Sequence, residues 1–291
     1  MLLKTRIVIG ASLAMVVLSA GFLFSNYIDR QHQQQRSLAE KAVAKSNLLD
    51  QILSEQLQNM KVEIKGLTRN SEALTAIESK TVEEEAQQAT SNRGPLALIF
   101  VRLKAGNVID GIFITSLDGK TLFISPDRIQ PTQIKALMDL STKEGKLIAG
   151  AVECNDGNLS FASTFQVFKS GKQIGNAAYL LNFRKIVERL KESDKSEIML
   201  TNANNKMIYS TNNDFFKNTN EDQLFRAANH GDELGFSGDY FEALSVPIKN
   251  IDGRLIGNIY TVKNITASYL EQRRATIITI LSLGALVLVF L

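Results

Sequence analysis

The chain has 291 residues, 33 basic against 30 acidic, a net charge of +3, one Cys, two His and no Trp. So even a charge balance argues against a nucleic-acid binder working by phosphate neutralisation, and one Cys rules out an internal disulfide framework or a CxxC zinc cluster. His32 and His230 stand 198 positions apart with no carboxylate–histidine spacing around them, so no metal site is expected.

The apolar residues concentrate at the two ends. Residues 7–24 form an uncharged run of 18, and residues 275–291 another of 17. A helix needs about 20 apolar residues to cross hydrocarbon, so each run is close to a full span. Lys4 and Arg6 precede the first run and place a cytoplasmic N-terminal stretch at 1–6. No small-residue cleavage site follows it, so the reading is an uncleaved anchor at 7–26 and a returning span at 275–291. Between the two runs the charge falls to +1, because Lys4 and Arg6 are the only charged residues that do not lie between them. That suits a soluble region outside the inner membrane. Leu291 falls within the second run, and an output module beyond it is expected.

Residues 27–70 read as one long helix, without Pro and with Gly66 as the only Gly. Leu38, Ala42, Leu49, Leu53, Leu57, Met60 and Ile64 recur at steps of three, four and seven, as in a bundle seam. A helix this long has more stripe than one small core can use, and the stripe is expected to contact a second copy of the chain. A second helix is expected over residues 71–88, with Glu83, Glu84 and Glu85 on a solvated face. Pro95 then opens a short apolar helix over 96–104.

Strand patterns begin at Val108. Asp118-Gly119 marks a hairpin. A helix over 131–141, three further strands over 147–152, 160–168 and 173–183, and a connecting helix over 184–192 complete an antiparallel α+β module. The pattern then recurs. Thr115 to Ser125 matches Thr201 to Thr211 at an offset of 86, and Ser170 to Asn176 matches Asp252 to Asn258 at 82. Asn205 substitutes for Gly119 because Asn also tolerates the left-handed conformation. The expected organisation is a module over 71–192, its duplicate over 193–264, and a helix over 265–274 entering the second span.

The hairpins ITSLDGKTLFIS and LTNANNKMIYST, and the strand pairs KSGKQIGNAAYLLNF and NIDGRLIGNIYTVKN, resemble the double Cache sensors of bacterial chemoreceptors and sensor kinases. That resemblance covers residues 27–274. It implies two tandem PAS-like modules, the first distal to the membrane and holding the ligand, the second proximal. It also implies a periplasmic sensor on an inner-membrane protein, signalling to cytoplasmic proteins through a methyl-accepting helix bundle, a histidine kinase or a cyclic-dinucleotide enzyme. The amino-acid-binding members resemble a pattern of Arg followed by Trp and Tyr. This chain has no Trp, so those roles are not carried over.

No GxSxG, P-loop, HExxH or paired-glycine dinucleotide motif is present, so no enzyme and no cofactor are expected. Cys154 beside Asn155-Asp156-Gly157 reads as an inert thiol, and His230 as a turn residue. A ligand pocket is the remaining option. Phe161, Ser163 and Phe165 alternate onto one face of their strand, Tyr179 and Leu181 onto one face of the next, and Phe123 and Ser125 lie on the return strand of the hairpin. Arg102, Arg128 and Lys135 are the cations placed to approach. The same aromatic stripe would equally serve as plain core. Competing readings are a module that binds a periplasmic protein partner and an anchored spacer without a ligand.

Overall fold

The computed structural model describes residues 2–83, 94–126, 131–154, 157–230 and 234–289, and over most of 2–35 and 283–289 the backbone course alone. Helix α1 runs without interruption over Leu2–Thr68, 67 residues, a length of about 100 Å. Its first apolar run and the long polar stretch are thus one helix. It stops where Thr68 turns its hydroxyl onto the Ile64 carbonyl at 3.1 Å. Asn70 then caps the next helix, accepting from the Ala73 amide at 2.9 Å.

That helix, α2, covers Ser71–Glu78 and ends ten residues short of the expected Gln88. Lys80 adopts a φ of +56°, which breaks the helix. Residues 84–93, with Glu84 and Glu85, lie outside the described residues. Glu83 is half-buried, not part of a solvated face. Its carboxylate accepts from the Leu96 and Ala97 amides at 3.1 and 3.2 Å, capping α3 (Pro95–Ala105), whose Pro stands in the first turn. The first-turn amides of a helix need partners from outside it, and an upstream carboxylate supplies them.

The first sheet comprises β1 (Gly111–Ser116), β2 (Thr121–Ser125), β3 (Ile148–Glu153), β4 (Leu159–Lys169) and β5 (Lys172–Asn182), with α4 (Pro131–Glu144) between β2 and β3. Their spatial order is β2-β1-β5-β4-β3. Helix α5 (Phe183–Asp194) leads to β6 (Glu197–Asn202), β7 (Met207–Ser210), α6 (Asn213–Asn218), α7 (Glu221–His230), β8 (Leu234–Phe236), β9 (Asp239–Lys249) and β10 (Leu255–Asn264). The second sheet repeats the order of the first, β7-β6-β10-β9-β8.

The duplication extends to atomic detail. Gly119 (φ +78°) and Asn205 (φ +59°) hold the same left-handed position in their hairpins. Each donates its amide at 3.0 Å to the carbonyl three residues back, Ser116 and Asn202 respectively. Both hairpins also slip register at equivalent places, between Ile114 and Thr115 and between Leu200 and Thr201. The architecture is therefore an α+β fold with two antiparallel sheets as tandem PAS-like modules.

The chain folds as two compact units. One unit joins residues 45–216 and 245–261; the other joins 1–44, 217–244 and 262–291. In the larger unit, Ile198, Leu200, Ile256 and Ile259 belong to the same buried core as Leu49, Met60, Leu159 and Tyr179. The Lys45 ammonium, on α1, pairs with Asp194 at the end of α5 and reaches Ser196 Oγ at 3.4 Å. In the smaller unit, helix α8 (Thr266–Val289) starts against β9. Thr266 Oγ1 accepts from the Tyr240 amide at 2.9 Å and donates to Asp239 Oδ1 at 3.1 Å. Tyr240 and Tyr269 stack at 3.9 Å. The expected helix over 265–274 and the second apolar run are thus one element.

Among the described residues no helix is long and apolar enough to cross a membrane. Most side chains of the run 7–24 and the end of the run 275–291 lie outside the described residues.

The α1 stripe expected to meet a second copy is largely used within the chain. Leu49 and Met60 are buried in the core of the larger unit, and Leu53, Leu57 and Ile64 pack against it. The two tandem sheets offer α1 more apolar surface than a single module would. In the smaller unit Leu38 and Ala42 are half-buried.

Candidate functional site

The two faces of the first sheet differ in chemistry. One is covered by α4. There Phe113, Ala162, Ala178 and Leu180 meet Ile134, Leu137 and Met138. Its buried hydroxyls are all engaged inside the chain. Thr164 Oγ1 donates to the Leu137 and Ile148 carbonyls at 3.2 and 3.3 Å, Ser141 Oγ to the Lys146 carbonyl at 2.6 Å, and Thr115 Oγ1 to Met138 Sδ at 3.9 Å.

The other face meets α1, α2 and α3. Pairing registers set its side chains in rows across the sheet. One row runs Ser125, Ile112, Tyr179, Ser163, Ala149; a second runs Phe123, Ile114, Ala177, Phe165; a third runs Leu181, Phe161, Ala151. Strand alternation and this register together bring six expected residues, Phe123, Ser125, Phe161, Ser163, Phe165 and Tyr179, onto one face. All six are buried. Phe165 meets Tyr179 edge-on at 5.0 Å, and Phe100 of α3 lies over Phe123 at 6.2 Å.

Two atoms on this face stand apart. Ser163 Oγ and Tyr179 OH are enclosed and have no hydrogen-bond partner among the described residues. Burial pushes the Tyr179 phenol well above its ordinary range; the Glu63 carboxylate adds to this and Arg102 opposes it. Arg102 Nη2 stands 3.9 Å from Glu63 Oε2, and their side chains are 59% and 35% exposed. The guanidinium rests over Gly66, where a Cβ would come within 2.6 Å of it.

The remaining expected cations fare differently. Arg128 lies outside the described residues. Lys135 belongs to α4, on the opposite face of the sheet, and is exposed. Cys154 is buried, its Sγ 3.3 Å from Ser160 Oγ, which suits an inert thiol. Sequence reading missed Glu63 as the neighbour of Arg102, and Glu83 as the cap of α3. The lone Gly within the long helix pattern was the one available signal, since a helix-interior Gly marks a close approach. Among the described residues no group of three or more His, Cys, Asp or Glu could hold a metal ion.

No protein-family model matches the sequence, nor does any curated protein. Among solved structures the chain is similar to the periplasmic domain of Vibrio cholerae LuxQ, at 14% identity and a TM-score of 0.52 over 77% of this chain and 98% of that one. The chain shares the fold of that domain. Other similar structures are the ligand-binding domain of the Campylobacter jejuni chemoreceptor Tlp3 in complex with 4-methylisoleucine (10% identity, 80% of this chain and 92% of that, TM-score 0.46). The ligand-binding domain of the Pseudomonas fluorescens chemoreceptor CtaA in complex with L-isoleucine is another (12% identity, 85% and 99%, TM-score 0.42). The buried face described above belongs to the first of the two sheets.

Proposed function

We propose that the chain is the sensor region of a transmembrane chemosensory receptor, not an enzyme. In this reading the first module binds a small molecule on the periplasmic side of the inner membrane, and α8 carries the signal across to an output module. The observation that carries it is the fold itself, two tandem PAS-like modules whose β9 grips the start of a helix that runs on into an apolar stretch. A ligand between α1 and the first sheet would favour one placement of the sheet against the helix. The second module and the Thr266–Tyr240 joint would pass that bias to α8. Such coupling requires only that the ligand bind the two states with different affinity. The output would be a methyl-accepting bundle, a histidine kinase or a cyclic-dinucleotide enzyme.

A homodimer belongs to this proposal. With Leu49 to Ile64 engaged in the chain's own core, Leu38 and Ala42 are the part of the stripe left for a second copy, beside the 60% exposed Val43.

The test is thermal melting of the full chain against a broad panel of small acids, amines, amides and nucleobases. A rise in Tm with at least one compound is expected, since a ligand that binds only the folded state stabilises it. Silence across the panel would sink the small-molecule reading.

One observation favours a second reading, the docking of a periplasmic protein. Val82, Leu117 and Phe168 are exposed by 56%, 53% and 44%. The ion pairs Lys80–Asp118 and Lys169–Glu78 draw the end of α2 and both hairpin turns to the same tip of the first module.

A further inference from the structure

Ser163 and Tyr179 are directly paired across β4 and β5, so their side chains leave the sheet on the same side. Each hydroxyl is enclosed and neither finds a partner among the described residues. Enclosed polar groups are almost always hydrogen-bonded. The opposite face of the same sheet obeys that rule, because Thr164, Ser141 and Thr115 are all engaged there. Two exceptions on adjacent positions of one face point to a common partner from outside the chain.

The surroundings define its chemistry. The immediate neighbours Ile112, Phe161, Phe165 and Leu181 are apolar. Among the described residues no Lys, Arg, Asp or Glu is buried. The charges that act on the Tyr179 phenol, Glu63 and Arg102, stand 3.9 Å from each other and are partly exposed. A ligand carrying a full charge would have to leave it opposite two hydroxyls in an apolar layer, at a high desolvation cost. A neutral carbonyl, amide or hydroxyl can accept from one of these groups and donate to or accept from the other. We propose that the first module takes a small, uncharged, mostly apolar organic molecule whose single polar group hydrogen-bonds Ser163 and Tyr179. The proposal rests on the ligand-sensor reading above and narrows it to a site and a ligand class.

The experiment uses four probes of matched shape: isobutyramide, isobutyrate, isobutylammonium and valine. Each is titrated into the full chain and into the variants Ser163→Ala and Tyr179→Phe, with Tm as the readout and circular dichroism as the check on folding. Isobutyramide is expected to raise the Tm of the parent chain, and either variant to weaken its apparent affinity about ten-fold, the effect of one lost hydrogen bond. Without probe, both variants are expected to melt at or above the parent temperature, because each removes a hydroxyl that has no partner.

Stabilisation by the charged probes but not by isobutyramide would overturn the ligand class while leaving the sensor reading intact. An equal response to isobutyramide in parent and variants would place binding elsewhere and overturn the site. Variants that melt well below the parent, with no response to isobutyramide, would show that an internal water alone serves the two hydroxyls. If none of the four probes acts, the inference falls; if the broad panel is silent as well, the sensor reading falls with it.

Discussion

The carbonyl oxygen of Thr115 lies 2.4 Å from the point where a Cβ on Gly175 would stand, and in the second module the Thr201 oxygen lies 2.3 Å from the equivalent point on Gly257. Both glycines are buried. The close approach of the central strands is therefore duplicated along with the hairpins.

Gly175→Ala and Gly257→Ala are expected to destabilise the fold by about 1–3 kcal/mol each, the range of overpacking a filled interior. The atom in the way is backbone and cannot swing aside. Urea midpoints of the two variants against the parent measure the effect. Unchanged midpoints would mean that the strands can separate at no cost.

Gly66→Ala should behave in the opposite way. Its close neighbour is the Arg102 guanidinium at 2.6 Å, the far end of a flexible and mostly exposed side chain. Replacing a helix-interior Gly with Ala contributes about 0.5–1 kcal/mol, and the partly exposed Arg102–Glu63 pair that it displaces is worth little. A net gain is the expected result of the same denaturation measurement. A loss would show that Arg102 is fixed in place.

Asp118 governs an acid-range effect. The Lys80 ammonium at 2.7 Å, then the Ser116 hydroxyl, hold its carboxyl down from 3.8 to about 2. A carboxyl depressed in the folded state contributes stability above its unfolded value, lost as the pH falls through the folded one. The Tm difference between the parent and Asp118→Asn should therefore be constant above about pH 4 and close between pH 4 and about pH 2. A gap that persists at pH 2 would assign the effect to packing and not to the charge.

Thr266 ties α8 to β9 through the Tyr240 amide and Asp239. Thr266→Val removes both hydrogen bonds and leaves the amide without a partner, an effect of about 1 kcal/mol. Hydrogen exchange at the Tyr240 amide should quicken about five-fold, while Thr266→Ser restores the parent rate. Equal protection in all three chains would remove this joint from the signalling route.

Local order was legible along the chain because it depends on near neighbours. The period of two that sets Phe161, Ser163 and Phe165 on one side of β4, and the left-handed turns at Gly119 and Asn205, belong to segments of a few residues. Two hairpins in the same sequence order therefore showed two modules before any coordinates. The α1 pattern was likewise correct as a helix, but its partner was not legible. A stripe at helical spacing reports that a face is apolar and carries no information about which surface covers it.

Local residue patterns specify the α+β character, the duplicated sheet unit, and the side of each strand on which the aromatic and hydroxyl residues stand. Long-range packing selects α1 and α3 to meet this side while α4 closes the other, places Leu49 and Met60 in the chain's own core, and sets Glu83 on the first turn of α3. The physical reason is range. Alternation and turn conformation are imposed within a few bonds, whereas the partner of a buried surface or a helix-end amide is chosen by segments far apart in the chain, through packing that no local pattern encodes.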